Sequence, residues 1–169
     1  MDANALRALQ GPLKESYKQE PAAALVTLKA QGRVDEAKIA CKVETGSALA
    51  VAGLHPATGG TGAELCSGDM LLEALVACAG VTLKAVATAL EIPLRDAVVR
   101  AEGDLDFRGT LGVDRTAPVG FRAIRLVIDL DTDAPQDKLD LLLKLTERYC
   151  VVYQTIRNGP RVSVTMRRV

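Results

Sequence analysis

The apolar and polar positions along the chain follow two rhythms, and each rhythm predicts an element. Residues 4–18 place Leu6, Leu9 and Leu13 three or four apart, the spacing of one helical face. Pro21 stops that helix. Residues 23–29, 37–44 and 47–54 read as strands. The second alternates most cleanly: Ala37, Ile39, Cys41 and Val43 share one face, and Lys38, Ala40, Lys42 and Glu44 the other. Gly32-Arg33 and Gly46 are expected at the turns between these strands.

The segment HPATGGTGAELCSGD, residues 55–69, is rich in Gly and Thr and reads as a loop. It opens into an apolar helix over residues 70–90, and Pro93 closes that region. Strands over 97–107 and 121–131 flank the turn-rich GTLGVDRTAPVG. A second core helix starts near Asp133-Ala-Pro-Gln-Asp137, with Leu139, Leu142, Leu143, Thr146, Tyr149 and Cys150 on one face. Asn158-Gly159-Pro160 is a turn, and Val162, Val164 and Met166 alternate in a final strand.

Strands that come in groups, rather than as repeated βαβ units, predict an α+β fold. The expected organisation is an N-terminal helical arm over residues 1–22 and a single domain over 23–169. The helix at 70–90 carries so little charge that it must be covered on nearly every side. One small sheet is too little for that, so a partner chain is implied.

Composition narrows the function. The 169 residues suit one domain with a real core. Acidic and basic residues balance at 21 each, so no net field draws nucleic acid or an anionic membrane. With no Trp, two Phe and three Tyr, a base-stacking platform is not expected. Residues 1–20 lack the apolar core of a leader, and residues 70–90 include Glu73 and Lys84, so neither a signal peptide nor a membrane span is expected. A cytoplasmic location follows, where thiols stay reduced and a disulfide is a chemical intermediate rather than a staple.

The four cysteines are Cys41, Cys66, Cys78 and Cys150. None forms a C-x-x-C pair and His55 is the single histidine, so a zinc site is not expected. No metal, haem or flavin motif is present, and no cofactor is expected. Cys41 reads as a small core hydrophobe, and Cys66 sits in the glycine-rich loop. Cys78, in LLEALVACAGVTL, and Cys150, in LTERYCVVYQTI, each fit either core packing or reactive chemistry. A reactive Cys78 needs its thiolate stabilised. Its own helix N-terminus is too far away to help, so a cation from elsewhere is required, with Arg best suited. Cys150 would then condense with a sulfenic acid on Cys78.

These motifs resemble a known family. SGDMLLEALVACAGVTLKAVA resembles the central-helix motif of the OsmC/Ohr family, the osmotically inducible and organic-hydroperoxide-resistance proteins. RYCVVYQTI followed by GPRVSVTM resembles that family's second-cysteine motif. The resemblance runs over residues 23–169, with the arm as an extension. It implies an OsmC-like α+β fold in which two core helices pack against antiparallel sheets in an intertwined homodimer. It also implies thiol-dependent reduction of organic hydroperoxides as an oxidative-stress defence, reset by an external dithiol reductant. By the same resemblance Cys78 is the peroxidatic thiol, Cys150 the resolving thiol, and Arg33, in KAQGR, the arginine beside the thiolate. The family's arginine-holding glutamate is replaced here by Gly68, with Asp69 the neighbouring acid. Val151 stands where the family usually has Pro. Two other uses of these residues stay open. One is a small-molecule binding or scaffold dimer with inert cysteines. The other is a hydrolase using Cys78 as nucleophile and His55 as base.

Overall fold

The computed structural model describes residues 3–34, 41–43, 53–63 and 65–168. In chain order the elements are α1 (Ala3–Gln19), β1 (Leu25–Val34), β2 (Cys41–Val43), α2 (Ser67–Ala89), β3 (Asp96–Asp106), α3 (Phe107–Thr110), β4 (Ala123–Asp131), α4 (Gln136–Tyr149) and α5 (Val151–Asn158). Strands and helices are segregated, as an α+β fold requires. Among the described residues four strands form one antiparallel sheet in the order β2-β1-β3-β4.

β3 lies inside the sheet and shows why it is a strand. Its alternate residues Ala97, Val99 and Ala101 are buried under α2, as a period of two demands. The opposite face is polar and stitched by cross-strand ion pairs. Arg125 bridges Asp104 and Glu102, and Arg100 pairs with Asp129. Such exposed pairs contribute little each; they set register more than stability.

The core stripe of α2 is Leu72, Leu75, Val76, Ala79, Leu83 and Ala87, spaced as a helix face. It packs against β1 and β3 on one side and against α4 and α5 on another. By length and composition α2 could cross a membrane, but here this stripe forms the centre of a protein core. From α4, Leu142 and Thr146 are buried against it. A second, smaller core joins Tyr17 of α1 to Ala24, Phe107 and Leu111. The Tyr17 hydroxyl donates to the Ala57 carbonyl at 2.7 Å, and Gln10 donates to the Thr58 carbonyl at 3.2 Å. The arm is therefore pinned to the turn that carries His55.

Several expectations are corrected. Gly32 and Arg33 lie inside β1, paired with β2 and β3, because the ladder to β3 continues through them. The predicted second core helix breaks at Cys150 into α4 and α5. Val162, Val164 and Met166 alternate as read, yet residues 159–168 join no strand ladder. These three side chains are 82%, 90% and 96% exposed; a strand needs a neighbour to bond, and among the described residues none covers them. Of the strand expected over residues 47–54, residues 47–52 lie outside the described residues, as do residues 37–40 and 44 of the strand before it.

Candidate functional site

The site is built where α4 stops. Cys150 closes one helix and opens the next. Its N–H donates to the Thr146 carbonyl at 2.9 Å, the last bond of α4, and its carbonyl accepts from the Gln154 N–H at 2.9 Å, the first bond of α5. Between these bonds its backbone turns extended, with φ −71° and ψ 106°. Its sulfur caps the new helix, accepting from the Tyr153 N–H at 3.4 Å. Cys150 is 1% exposed.

This break aims the start of α5 at Cys78. The first N–H groups of a helix have no partner within it. At α5 two of them, from Val152 and Val151, donate to the Cys78 sulfur. Cys78 is a half-buried free thiol on α2, adjoining the core stripe. Thr82, one turn further along α2, and the Cys150 thiol pull the Cys78 thiol in the same direction by hydrogen bonding.

The balance of forces is legible. Burial pushes the Cys78 thiol up, but the donors from Val152, Cys150, Val151 and Thr82 outweigh it, and the net shift is downward. Each stabilises the thiolate over the thiol. Cys150 behaves oppositely. Burial pushes it up, the Tyr153 N–H pulls it back, and its bond to Cys78 and the Cys78 charge push it up again, to about 11. One member of the pair is tuned toward thiolate and the other is kept protonated.

The remaining predicted residues are dispersed. Asp69 lies in the first turn of α2. It precedes Cys78 by nine residues, roughly 13 Å along the axis and half a turn around it. Burial raises its carboxyl, and the nearby His55 lowers it. The backbone of Arg33 lies in β1, opposite Val98; its side chain falls outside the described residues. His55 stacks on Phe107 with centroids 4.9 Å apart, and its Nδ1 accepts from the Ala57 N–H at 3.0 Å. It lines a cavity of about 360 Å³ with Cys66 rather than Cys78, a poor place for a base serving Cys78.

A different cavity, of about 500 Å³, opens against Cys150. Its walls are mostly apolar, from Ile124, Leu126 and Ile128 of β4 and Leu143 of α4, with Glu147 and Thr146 the polar exceptions. Of the two thiols, Cys150 lines this cavity and Cys78 does not.

The sequence model of the OsmC-like proteins matches residues 60–165. The chain belongs to the OsmC-like family. The crystal structure of an OsmC-like hydroperoxide resistance protein from Jannaschia sp. CCS1 is similar in fold, with a TM-score of 0.61 and 16% sequence identity, over 82% of this chain and 91% of that one. No curated protein sequence matches the chain. The family match spans both cysteines and every helix of the site, α2, α4 and α5.

Three contributors to this OsmC-like site were not legible as such. Thr82 carried a signal, since CAGVT places a hydroxyl one turn after the thiol. The Val151 and Val152 N–H groups carried none, because RYCVVY has neither Gly nor Pro to mark the break. Together these neutral groups outweigh burial, and the Cys78 thiol is held below its ordinary range.

Proposed function

We propose that this OsmC-like protein reduces organic hydroperoxides through Cys78 and Cys150, as a peroxide defence. The observation that carries the reading is the shared hydrogen bond between two thiols of opposite tuning. The Cys78 thiolate attacks the distal oxygen of ROOH. An S–O bond forms, the O–O bond breaks, and the departing alkoxide takes a proton from solvent. The hydroperoxide is reduced to an alcohol, and Cys78 becomes a sulfenic acid. That step removes the Cys78 negative charge, one of the causes that hold the Cys150 proton. Cys150 then ionises more readily and attacks the oxidised sulfur. An S–S bond forms, hydroxide leaves and is protonated to water, and an external dithiol restores both thiols. Arg33 and Asp69 belong to this proposal as an additional cation and its anchor.

The reading includes a homodimer. Val127 on edge strand β4, Leu143 and Tyr149 on α4, and Val162, Val164 and Met166 beyond α5 all leave apolar surface exposed. A second copy is the occupant that would cover these faces and bond the alternating tail, and light scattering of the purified protein tests it.

The decisive experiment is consumption of an alkyl hydroperoxide with a dithiol reductant. The parent turns over, Cys78→Ser does not, and Cys150→Ser stops at the sulfenic acid unless a small thiol replaces it. Equal turnover by Cys78→Ser, or none by the parent, overturns the proposal.

A further inference from the structure

We propose that Gln154 is a positioning residue: its side chain holds the helix broken at Cys150 and so keeps the Cys150 sulfur packed against α2, where Cys78 lies. This rests on the hydroperoxide-reducing reading above. An unbroken helix would bond the Glu147 carbonyl to the Val151 N–H. At Cys150 the backbone takes ψ 106°, roughly 150° from the helical value, so the Val151 N–H swings off that line. The break leaves the Glu147 carbonyl without its helical donor. Glu147 is half-buried, where an unbonded carbonyl is costly. The Gln154 side chain fills the gap: its Nε2 donates to the Glu147 carbonyl at 2.7 Å.

The amide is itself fixed. One turn further along α5, the Asn158 Nδ2 donates to the Gln154 Oε1 at 2.9 Å, so the nitrogen is the end left for Glu147. The main chain bonds the same junction, the Gln154 N–H donating to the Cys150 carbonyl at 2.9 Å. One residue thus ties the first turn of α5 back to the last turn of α4. The Cys150 sulfur also caps α5, accepting from the Tyr153 N–H at 3.4 Å, but that atom enters the disulfide. The Gln154 strap uses no atom of the thiol and persists through the cycle. Without it, RYCVVY, which has neither Gly nor Pro, can run straight through. The Val151 N–H then returns to Glu147, and Cys150 turns with the helix.

The test follows disulfide closure in the parent, Gln154→Met, Gln154→Glu, Val151→Pro and the double variant Gln154→Met/Val151→Pro, each checked for folding by circular dichroism. Methionine keeps the length and removes the donor. Glutamate keeps the shape and sets an acceptor against the carbonyl; it takes methionine's place in both comparisons if Gln154→Met does not fold. Two oxidants are used, an alkyl hydroperoxide and diamide. The Cys78 thiolate adds to the N=N bond of diamide, the Cys150 thiolate displaces the protonated hydrazine from that sulfur, and a disulfide is left. Mass spectrometry of quenched samples separates oxidised Cys78 from the closed pair, so closure is read apart from the first attack. Each Gln154 variant should close about fivefold more slowly than the parent. Proline at 151 has no N–H to return to Glu147 and opposes the unbroken helix, so the double variant should close at the rate of Val151→Pro alone. Closure at the parent rate in both single Gln154 variants, or no recovery in the double variant, overturns the role. A parent that closes with diamide but ignores hydroperoxides removes the functional reading and leaves the strap to be judged by the diamide rates. A working peroxidase whose Gln154 variants close at the parent rate removes Gln154.

Discussion

The Cys150 thiol donates a hydrogen bond to Cys78 while its own sulfur accepts one from the Tyr153 N–H. A single residue is thereby the end of α4, the start of α5 and the partner of the reactive thiol. The geometry couples helix capping to redox state, since the atom that caps α5 is also the atom that would enter the disulfide. It also separates the ionisation of two thiols that touch.

That separation predicts ordered labelling. Near neutral pH, iodoacetamide should modify Cys78 well before Cys150, because only the thiolate is nucleophilic. Cys150 should join only as the pH nears about 11. Peptide mass spectrometry of samples quenched across a pH series reads both sites. Simultaneous labelling at one pH would contradict the tuning described above.

A pH dependence of stability follows from the same pair. The folded-state pKa of Cys150 is raised, so the fold favours its neutral thiol. That contribution is intact below the unfolded value of about 8.5 and is lost as pH rises through about 11. Cys78 has the opposite sign. Its lowered pKa favours the folded thiolate, so its contribution is present above the unfolded value and is lost as pH falls through the folded one. The gap in urea midpoint between the parent and Cys150→Ala should therefore narrow from about pH 8.5 upward. A gap constant to pH 11 would refute the assignment for Cys150.

Helix packing sets the register of the two sulfurs. Leu142 of α4 is fully buried against α2, two turns before Cys150. Leu142→Ala should cost about 3 kcal/mol in a denaturant titration, the transfer loss plus the cavity left behind. A loss under 1 kcal/mol would mean that α4 is not anchored as described.

The arm gives a smaller effect. Tyr17→Phe keeps the buried ring and deletes the hydroxyl that donates to the Ala57 carbonyl. The expected cost is about 1 kcal/mol. Faster amide exchange in the turn Pro56–Thr58 should accompany it. Unchanged exchange there would detach the arm from that turn.

What could be read from the sequence follows physical range. The stripe from Leu72 to Ala87 and the alternation of β3 are short-period signals, and both produced their elements. Cys78 and Cys150 were recognisable from their flanking motifs. Gly32-Arg33 misled because glycine marks turns on average, whereas here the pairing partner on β3 extends the strand through it. The split at Cys150 was hidden because a helix that breaks for one residue keeps nearly the same apolar face on both sides. The donors to Cys78 come from that split, so they were invisible until α5 had a start. The alternation at Val162, Val164 and Met166 was legible as a pattern, but among the described residues no strand pairs with it.

The sharpest prediction concerns Val151. It is the first residue of α5, a position where proline is well tolerated because its missing N–H has no helical partner. The preceding Cys150 is already extended, at ψ 106°, as a residue before proline prefers. Val151→Pro should therefore leave stability unchanged or raise it by a few tenths of a kcal/mol. The Val151 N–H, however, is not idle here: it donates to the Cys78 sulfur. Removing it should raise the pH at which Cys78 becomes alkylated by about half a unit, and slow its oxidation by about threefold at neutral pH. Val151→Ala, which keeps the N–H, should titrate like the parent. The two effects are separable because one is read by melting and the other by alkylation. A proline variant that melts like the parent and alkylates like the parent would show that the amide contributes nothing to the thiolate. The burden of stabilising it would then pass to Val152, Thr82 and the Cys150 thiol.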